Sequence, residues 1–453
     1  MWLLIPLFLC LAGGEYVAQW FPQLIDHQAP TRFWQRYFMN ADHYRSGGPA
    51  FLYVVGEQAA QNYTVSDSLA VALAEEHGGV VYALEHRFYG LSQPFFSLRT
   101  ETLQYLTSTL AIQDLVNFAQ SVPDPLDGRP NWHRQWFLIG GSYGGTLAAW
   151  ARQARPDVFH GALASSAPLV AKEDFPEYDM AIAHVLGSKC AKHMAAVVNY
   201  VDSLYVRNQG FQRIKDALGC KSLDDIHFMY TLYDSIALIV QYDAPKADPN
   251  VAMLCRSINA PSTPAALANL IKVVLRFFHN EGATCTQFAN TKDLKQTRIQ
   301  ETAQVRQWNY QCCTEFGFWQ SAPKNGLSMR SRFLTKEWFN SFFWSTPHFS
   351  MTVGPPNTRE TNYRHAGKYI GTQRIIFTNG ANDPWAHLSI TSPKQSSTYR
   401  PVILIPNASH VTDLFYPDPK DPPELRAAHK TILDTFRQWI RPHPIFPFKA
   451  INQ

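Results

Sequence analysis

The sequence predicts an α/β protein: a parallel-sheet domain assembled from two separate stretches of chain, with a helical domain inserted between them. Three observations carry the prediction. From about residue 49 to 168, short apolar runs alternate with helical patterns. From about 172 to 350, helical periodicity dominates, strand-like runs are absent, and six of the seven cysteines fall there. From 370 the first texture returns. Composition agrees. Of 453 residues, 46% are hydrophobic and 13% aromatic while only 17% are charged, which excludes a disordered chain. At roughly 100–200 residues per domain, the length suits two to four domains or one large core with an insertion.

The elements follow in order. Residues 1–14 (MWLLIPLFLCLAGG) form an apolar run ending in small residues, too short to span a bilayer, and read as a signal peptide, although the usual early Lys or Arg is missing. The first part of the core takes residues 15–171. Buried strands are predicted over 50–55 (AFLYVV), 80–84 (VVYAL) and 136–139 (WFLI), and another starts at 162–164. Helices are predicted over 109–121, where Leu110, Leu115 and Phe118 have helical spacing, and over 146–155. The insertion takes 172–369, with helices over 194–205, 232–241 and 265–278. The second part of the core takes 370–453: strands over 374–378 (RIIFT) and 402–405 (VILI), then a closing helix over 424–440 after Pro422-Pro423.

Charge and cysteine usage narrow the partners and the compartment. With 40 Lys+Arg against 36 Asp+Glu and no basic run, the chain has no footprint for nucleic acid or an anionic membrane. Cys190, Cys220, Cys255, Cys285, Cys312 and Cys313 remain once Cys10 leaves with the signal; none forms a CxxC pair, so disulfides are expected rather than zinc. Six cysteines allow fifteen pairings. Two sequons, at Asn62 and Asn407, suit a glycosylated protein of the secretory pathway, lysosomal/endosomal or secreted. The histidines include no HExxH pair, so no metal and no cofactor is expected. The oligomeric state is not fixed, and a homodimer stays open.

A nucleophile candidate sits where a parallel sheet would expose it. Gly140, Ser142 and Gly144 spell G-x-S-x-G between a predicted strand and a predicted helix, the setting of a nucleophile elbow in α/β-hydrolases. A sharp strand-to-helix turn strains the serine backbone, and side chains at the flanking glycines would clash. The spacing fits neither a dinucleotide fingerprint nor a phosphate loop; the bland alternative is a glycine-rich turn without function. Serine needs a base held by an acid. The final third supplies them in the order Ser, Asp, His: Asp383 follows the strand at 374–378, and His410 follows the strand at 402–405. His387 and Asp413 are nearby rivals.

These segments resemble the serine exopeptidases that include prolyl carboxypeptidase, lysosomal dipeptidyl peptidase and thymus-specific serine protease. The resemblance rests on Trp20–His27 (WFPQLIDH), Glu85–Gly90 (EHRFYG), Gly140–Gly145 (GGSYGG), Ser165–Pro168 (SSAP), Gln311–Phe318 (QCCTEFGF) and Asn379–Trp385 (NGANDPW), in the family's order from about 19 to 440. The cysteine segment is nearest the thymus-specific branch. The resemblance implies an α/β-hydrolase core with an inserted, disulfide-stapled helical cap. It carries nucleophile, acid and base to Ser142, Asp383 and His410, and it implies cleavage of short peptides by a dipeptidyl-peptidase or carboxypeptidase activity with a preference for prolyl bonds. Trp385, beside the acid, would wall the substrate pocket. The amide of Tyr143 and the loop at Gly56 would form the oxyanion hole.

Two departures bear on that expectation. Where relatives typically have Gly-Gly-Glu-Gly, this chain has Val55-Gly56-Glu57-Gln58, so side chains at 55 and 58 are expected to alter or crowd the oxyanion loop. Cysteines that relatives place beyond the Cys-Thr-Glu motif are missing, and Cys312 is expected to take over a lost pairing with Cys190. A charged group in the cap would set cleavage direction; Glu315 is a candidate that sequence does not separate from a structural carboxylate. An esterase, or a catalytically impaired secreted binding protein on the same scaffold, is the competing reading.

Overall fold

A computed structural model describes residues 16–440, apart from 131–133, 290, 303, 345 and 351. The expected signal peptide at 1–14 lies outside the described residues. Ten strands are present among them: β1 (Gln19–Leu24), β2 (Arg32–Asn40), β3 (Ala50–Val54), β4 (Val80–Leu84), β5 (Trp136–Gly141), β6 (Phe159–Ser165), β7 (Lys172–Asp174), β8 (Gly317–Trp319), β9 (Ile375–Gly380) and β10 (Val402–Ile405). Eight of these form one sheet in the order β1-β2-β4-β3-β5-β6-β9-β10. From β4 to β10 neighbours run parallel, while β2 is antiparallel to both β1 and β4. This is the α/β-hydrolase core.

Burial on both faces explains why the central strands read as continuous apolar runs. Every residue of β4 is buried. Alternate side chains then serve different cores. Phe51, Phe137 and Leu163 pack with α1 (Leu69–His77) and with Ile432, Phe436 and Trp439 of the closing helix Pro423–Trp439. Leu52, Leu138 and Ala164 face the other way, into a larger core shared with α3 (Ser108–Ser121) and α4 (Ser142–Ala154); α2 (Thr100–Leu103) is a single turn. The local signals are ordinary ones. Thr107 caps α3 by accepting from the Leu110 amide, and Gly78 ends α1 in a left-handed conformation.

Strands β1 and β2 were not predicted. Their polar residues hide them: Gln35 and Arg36 of β2 are buried and serve Glu85, the first through its backbone carbonyl at 2.7 Å and the second through its carboxylate at 2.6 Å. Pro22 disguises β1, which tolerates it as an edge strand.

Between β6 and β9 the chain builds the helical cap. α5 (Glu177–Val206), broken at Gly187, α6 (Phe211–Ala217), α7 (Asp225–Gln241), α8 (Val251–Ile258) and α9 (Thr263–Asn280) carry it. Two strands do occur in this region. β7 and β8 pair in parallel over three residues each, too few to leave a pattern in the sequence. Cys190–Cys255 ties α5 to α8, and Cys220–Cys285 closes a second loop of the same 65-residue separation. The expected pairing of Cys312 with Cys190 is therefore incorrect. Cys312 and Cys313 are both free and buried, on the helical segment that precedes β8, while α8 brings Cys255 to α5.

Candidate active site

The register of the sheet brings four strand ends to one edge: Gly141 lies beside Ser165, Ser165 beside Thr378, and Gly380 beside Ile405. Carboxyl ends of parallel strands are where such sheets hold ligands. β5 stops at Gly141 and α4 begins at Ser142 itself, four residues before the predicted start. Ser142 has φ 55°, a left-handed conformation that costs a non-glycine residue of order 1–3 kcal/mol and persists only where packing over-determines it. The packing is there. A Cβ on Gly144 would run into the Val54 carbonyl oxygen, and one on Gly140 into the carbonyl of Gly144.

The first amides of α4, Tyr143 included, have no intrahelical acceptor and sit at the positive end of the helix dipole. The loop after β3 lies against them, so that a Cβ on Gly56 would be 3.0 Å from the Gly144 nitrogen. Val55 does not crowd this loop; its side chain is buried in the core beside α1. Gln58 is half-buried.

Asp383 lies three residues beyond β9 and is buried. One carboxylate oxygen accepts from the Trp385 amide at 2.9 Å, and the other is 2.9 Å from Nδ1 of His410. A carboxylate can only accept, so this contact puts the proton on Nδ1 and leaves Nε2 with a lone pair. Nε2 is buried and has no hydrogen-bond partner among the described residues. The two loops hold each other: the amides of Ala381 and Asn382 donate to the carbonyls of Ile405 and Ala408, each at 2.9 Å. The loop after His410 reaches the elbow directly, since a Cβ on Gly141 would lie 2.8 Å from Cγ1 of Val411. Thus the residue after His410 abuts the residue before Ser142. Of the rivals, Asp413 accepts from the hydroxyls of Ser165 and Thr378 at 2.6 and 2.7 Å, and His387 is exposed.

A layer that sequence reasoning did not resolve surrounds these groups. The Tyr143 hydroxyl accepts from Gln311 Nε2 at 2.9 Å and lies 3.2 Å from Nε2 of His86. Gln311 in turn accepts from the Tyr89 hydroxyl at 2.7 Å. Burial pushes His86 down to about 4. The EHRFYG segment is thus a scaffold for Tyr143 and for the sheet: Glu85 collects Arg36, the Ala60, Leu91 and Ser92 amides and the Ser92 hydroxyl, and Arg87 pairs with Asp114. Gln241, the last residue of α7, accepts the His410 amide on its carbonyl at 3.0 Å and the Trp385 indole N–H on its side chain at 2.9 Å. No motif marks Gln241, because half of its contribution is a backbone carbonyl. Glu57 is 6% exposed, and burial pushes its carboxyl up to about 7, partly offset by its own backbone N–H and by nearby His410.

The remaining sequence candidates divide. Trp385 is buried and walls an aromatic cavity whose other lining residues belong to the cap. Glu315 is structural: it accepts from the Ser108 amide at 3.0 Å and hydroxyl at 2.8 Å, at the start of α3. Asn62 and Asn407 are exposed. Among the described residues, no group of three or more His, Cys, Asp or Glu is arranged to hold a metal ion, and no helix is long and apolar enough to cross a membrane.

Comparison with known proteins adds the following. The family model described as "Serine carboxypeptidase S28" matches residues 23–432. The thymus-specific serine protease of Mus musculus is 33% identical over 443 residues, 90% of this chain and 84% of that one. Its Homo sapiens counterpart is 30% identical over 454 residues, 93% of this chain and 86% of that one. Among solved structures, the proline iminopeptidase of Mycobacterium smegmatis aligns with 93% of this chain and 100% of its own, at 12% identity and a TM-score of 0.39.

Proposed function

The chain belongs to the serine carboxypeptidase S28 family and is a serine peptidase, and from that premise we propose that it is an exopeptidase that cleaves short peptides through Ser142, His410 and Asp383. His410 Nε2 takes the Ser142 proton as the hydroxyl oxygen attacks the scissile carbonyl carbon; the same proton passes to the departing amine. The acyl-enzyme is then opened by water, with His410 again as base. Asp383 holds the imidazole in the tautomer this needs and stabilises its positive charge. The Tyr143 amide, with an amide of the Gly56 loop, receives the oxyanion; each such donor is worth about 2.7–4 kcal/mol in the transition state.

One observation carries the reading: the 2.9 Å contact between Asp383 and His410 Nδ1, which leaves Nε2 unpaired on a loop whose next residue, Val411, abuts the one before Ser142, itself held at φ 55°. The cap and the cavity at Trp385 support a preference for short chains, and Trp385 would form the wall against a prolyl ring. Cleavage is of the dipeptidyl-peptidase or carboxypeptidase type. The two disulfides and the exposed sequons suit a glycosylated protein of the secretory pathway, in lysosomes or endosomes or outside the cell.

The test is a kinetic panel of Xaa-Pro dipeptide amides, peptides ending in Pro-Xaa and a nitrophenyl ester, at about pH 5 and pH 7, with the Ser142→Ala protein as control. Turnover of one peptide class, abolished by the substitution, supports the reading and gives its direction. Turnover of the ester alone makes the protein an esterase. No turnover by folded protein makes it a binding protein on a hydrolase scaffold.

A further inference from the structure

The cavity beside Trp385 has one wall that the acyl-transfer chemistry does not use. α7 ends at Gln241, which holds Trp385 and His410; two turns earlier on the same helix, Asp234 lines the same cavity. Asp234 is 3% exposed, its Oδ2 has no hydrogen-bond partner, and no cation lies within ion-pair distance of it among the described residues. Around it stand Tyr178, Tyr230, Trp308, Phe318 and Trp385. The Trp385 ring is 5.3 Å from Phe318 and 5.4 Å from Tyr178, and Trp308 lies 5.5 Å from Tyr143, the residue after Ser142.

Charge decides what such a site takes. Arg330 is the cation that Asp234 feels, but it is held by other groups: its Nε lies 3.1 Å from the buried Asp179 carboxylate, Nη1 donates to the Gln320 carbonyl at 2.6 Å, and the guanidinium sits over the Tyr178 ring, while Nη2 is buried without a partner and makes no contact with Asp234. Two buried carboxylates therefore share one guanidinium, and when both are ionised the aromatic wall carries an excess negative charge. Burial pushes the Asp234 carboxyl up to about 6, with Arg330 only partly offsetting it. An unpaired buried carboxylate is costly, and aromatic faces attract cations. We propose that Asp234 is a specificity residue that receives a substrate cation, an ammonium or guanidinium group, in the aromatic cavity. The group is either the free α-amine of the peptide or a Lys or Arg side chain. This rests on the peptidase reading above only for which bond is then cut.

The experiment measures binding without turnover. Calorimetry on the Ser142→Ala protein and on Ser142→Ala with Asp234→Asn would compare three dipeptide amides. Acetyl-Lys-Ala amide carries only a side-chain cation, norleucyl-Ala amide only an α-amine, and acetyl-norleucyl-Ala amide is neutral. A charge-assisted contact predicts that one cationic probe outbinds the neutral one by roughly 10- to 150-fold, and that Asp234→Asn abolishes the difference while leaving the neutral probe's affinity unchanged. Which probe wins identifies the source of the cation. No cationic preference, as when Arg330 turns to neutralise Asp234, overturns the proposal, and so does a preference that survives Asp234→Asn. Unchanged neutral binding shows that the variant is folded. Failure of the peptidase reading would appear instead as absent turnover by the wild type.

Discussion

Replacing Glu57 with Gln should stabilise the folded protein at neutral pH and leave its stability unchanged in acid. In the unfolded chain this carboxyl ionises near 4.5, whereas burial raises it to about 7 in the fold. Between those values the folded state holds a proton that the unfolded state has released. Stability therefore falls as pH rises from about 4.5 to about 7, and the contribution is flat on either side. At about 1.4 kcal/mol per tenfold change in proton affinity, the full effect is about 3 kcal/mol. Gln keeps an acceptor for the Glu57 backbone N–H and has no charge to bury. Urea unfolding of wild type and Glu57→Gln at about pH 4 and about pH 8 is the assay. The variant should match wild type at the lower pH and exceed it by about 3 kcal/mol at the higher. The comparison must be a difference between proteins, because His86, His227 and His365, each pushed down to about 4 by burial, add stability with rising pH and oppose the trend in wild type. An equal difference at both pH values, or a variant less stable at about pH 8, would refute the reasoning.

Other consequences are as direct. Asp383→Asn should keep the fold and lower kcat about ten-thousandfold, because the amide cannot enforce the Nδ1–H tautomer of His410; peptide kinetics with a circular-dichroism control would show it. Replacing Cys220 and Cys285 with Ser should cost about 2–5 kcal/mol in unfolding measurements. Non-reducing peptide maps should return Cys190–Cys255, with Cys312 and Cys313 alkylated only after denaturation; a Cys190–Cys312 peptide would contradict the fold described. Asp114→Ala leaves the buried Arg87 guanidinium without the carboxylate it meets at 2.6 Å, and should lower stability by about 3–5 kcal/mol in urea.

What the sequence disclosed follows from what local pattern can encode. The buried parallel strands, the elbow and the order of Ser142, Asp383 and His410 were legible because each is a short run or a fixed neighbour of a strand end. α4 was placed four residues late, since Tyr143-Gly144-Gly145 has weak helix propensity and close packing against Val54 and Ser165 overrides it. β2 was missed because its inward positions carry Gln35 and Arg36, which only the distant Glu85 makes affordable. The cysteine pairing and the place of Gln241 depend on how α5, α7 and α8 pack, and no spacing along the chain reports that. Asp234 reads in sequence as one polar residue on an apolar helix; only the cavity gives it a meaning.

The central claim is that Ser142 is an activated nucleophile. Labelling with a fluorophosphonate probe, followed by peptide mass spectrometry, tests it most directly. The geometry predicts one adduct, on Ser142, absent in Ser142→Ala and strongly slowed in His410→Ala. Folded wild-type protein that takes no label, or takes it at another residue, would contradict the account.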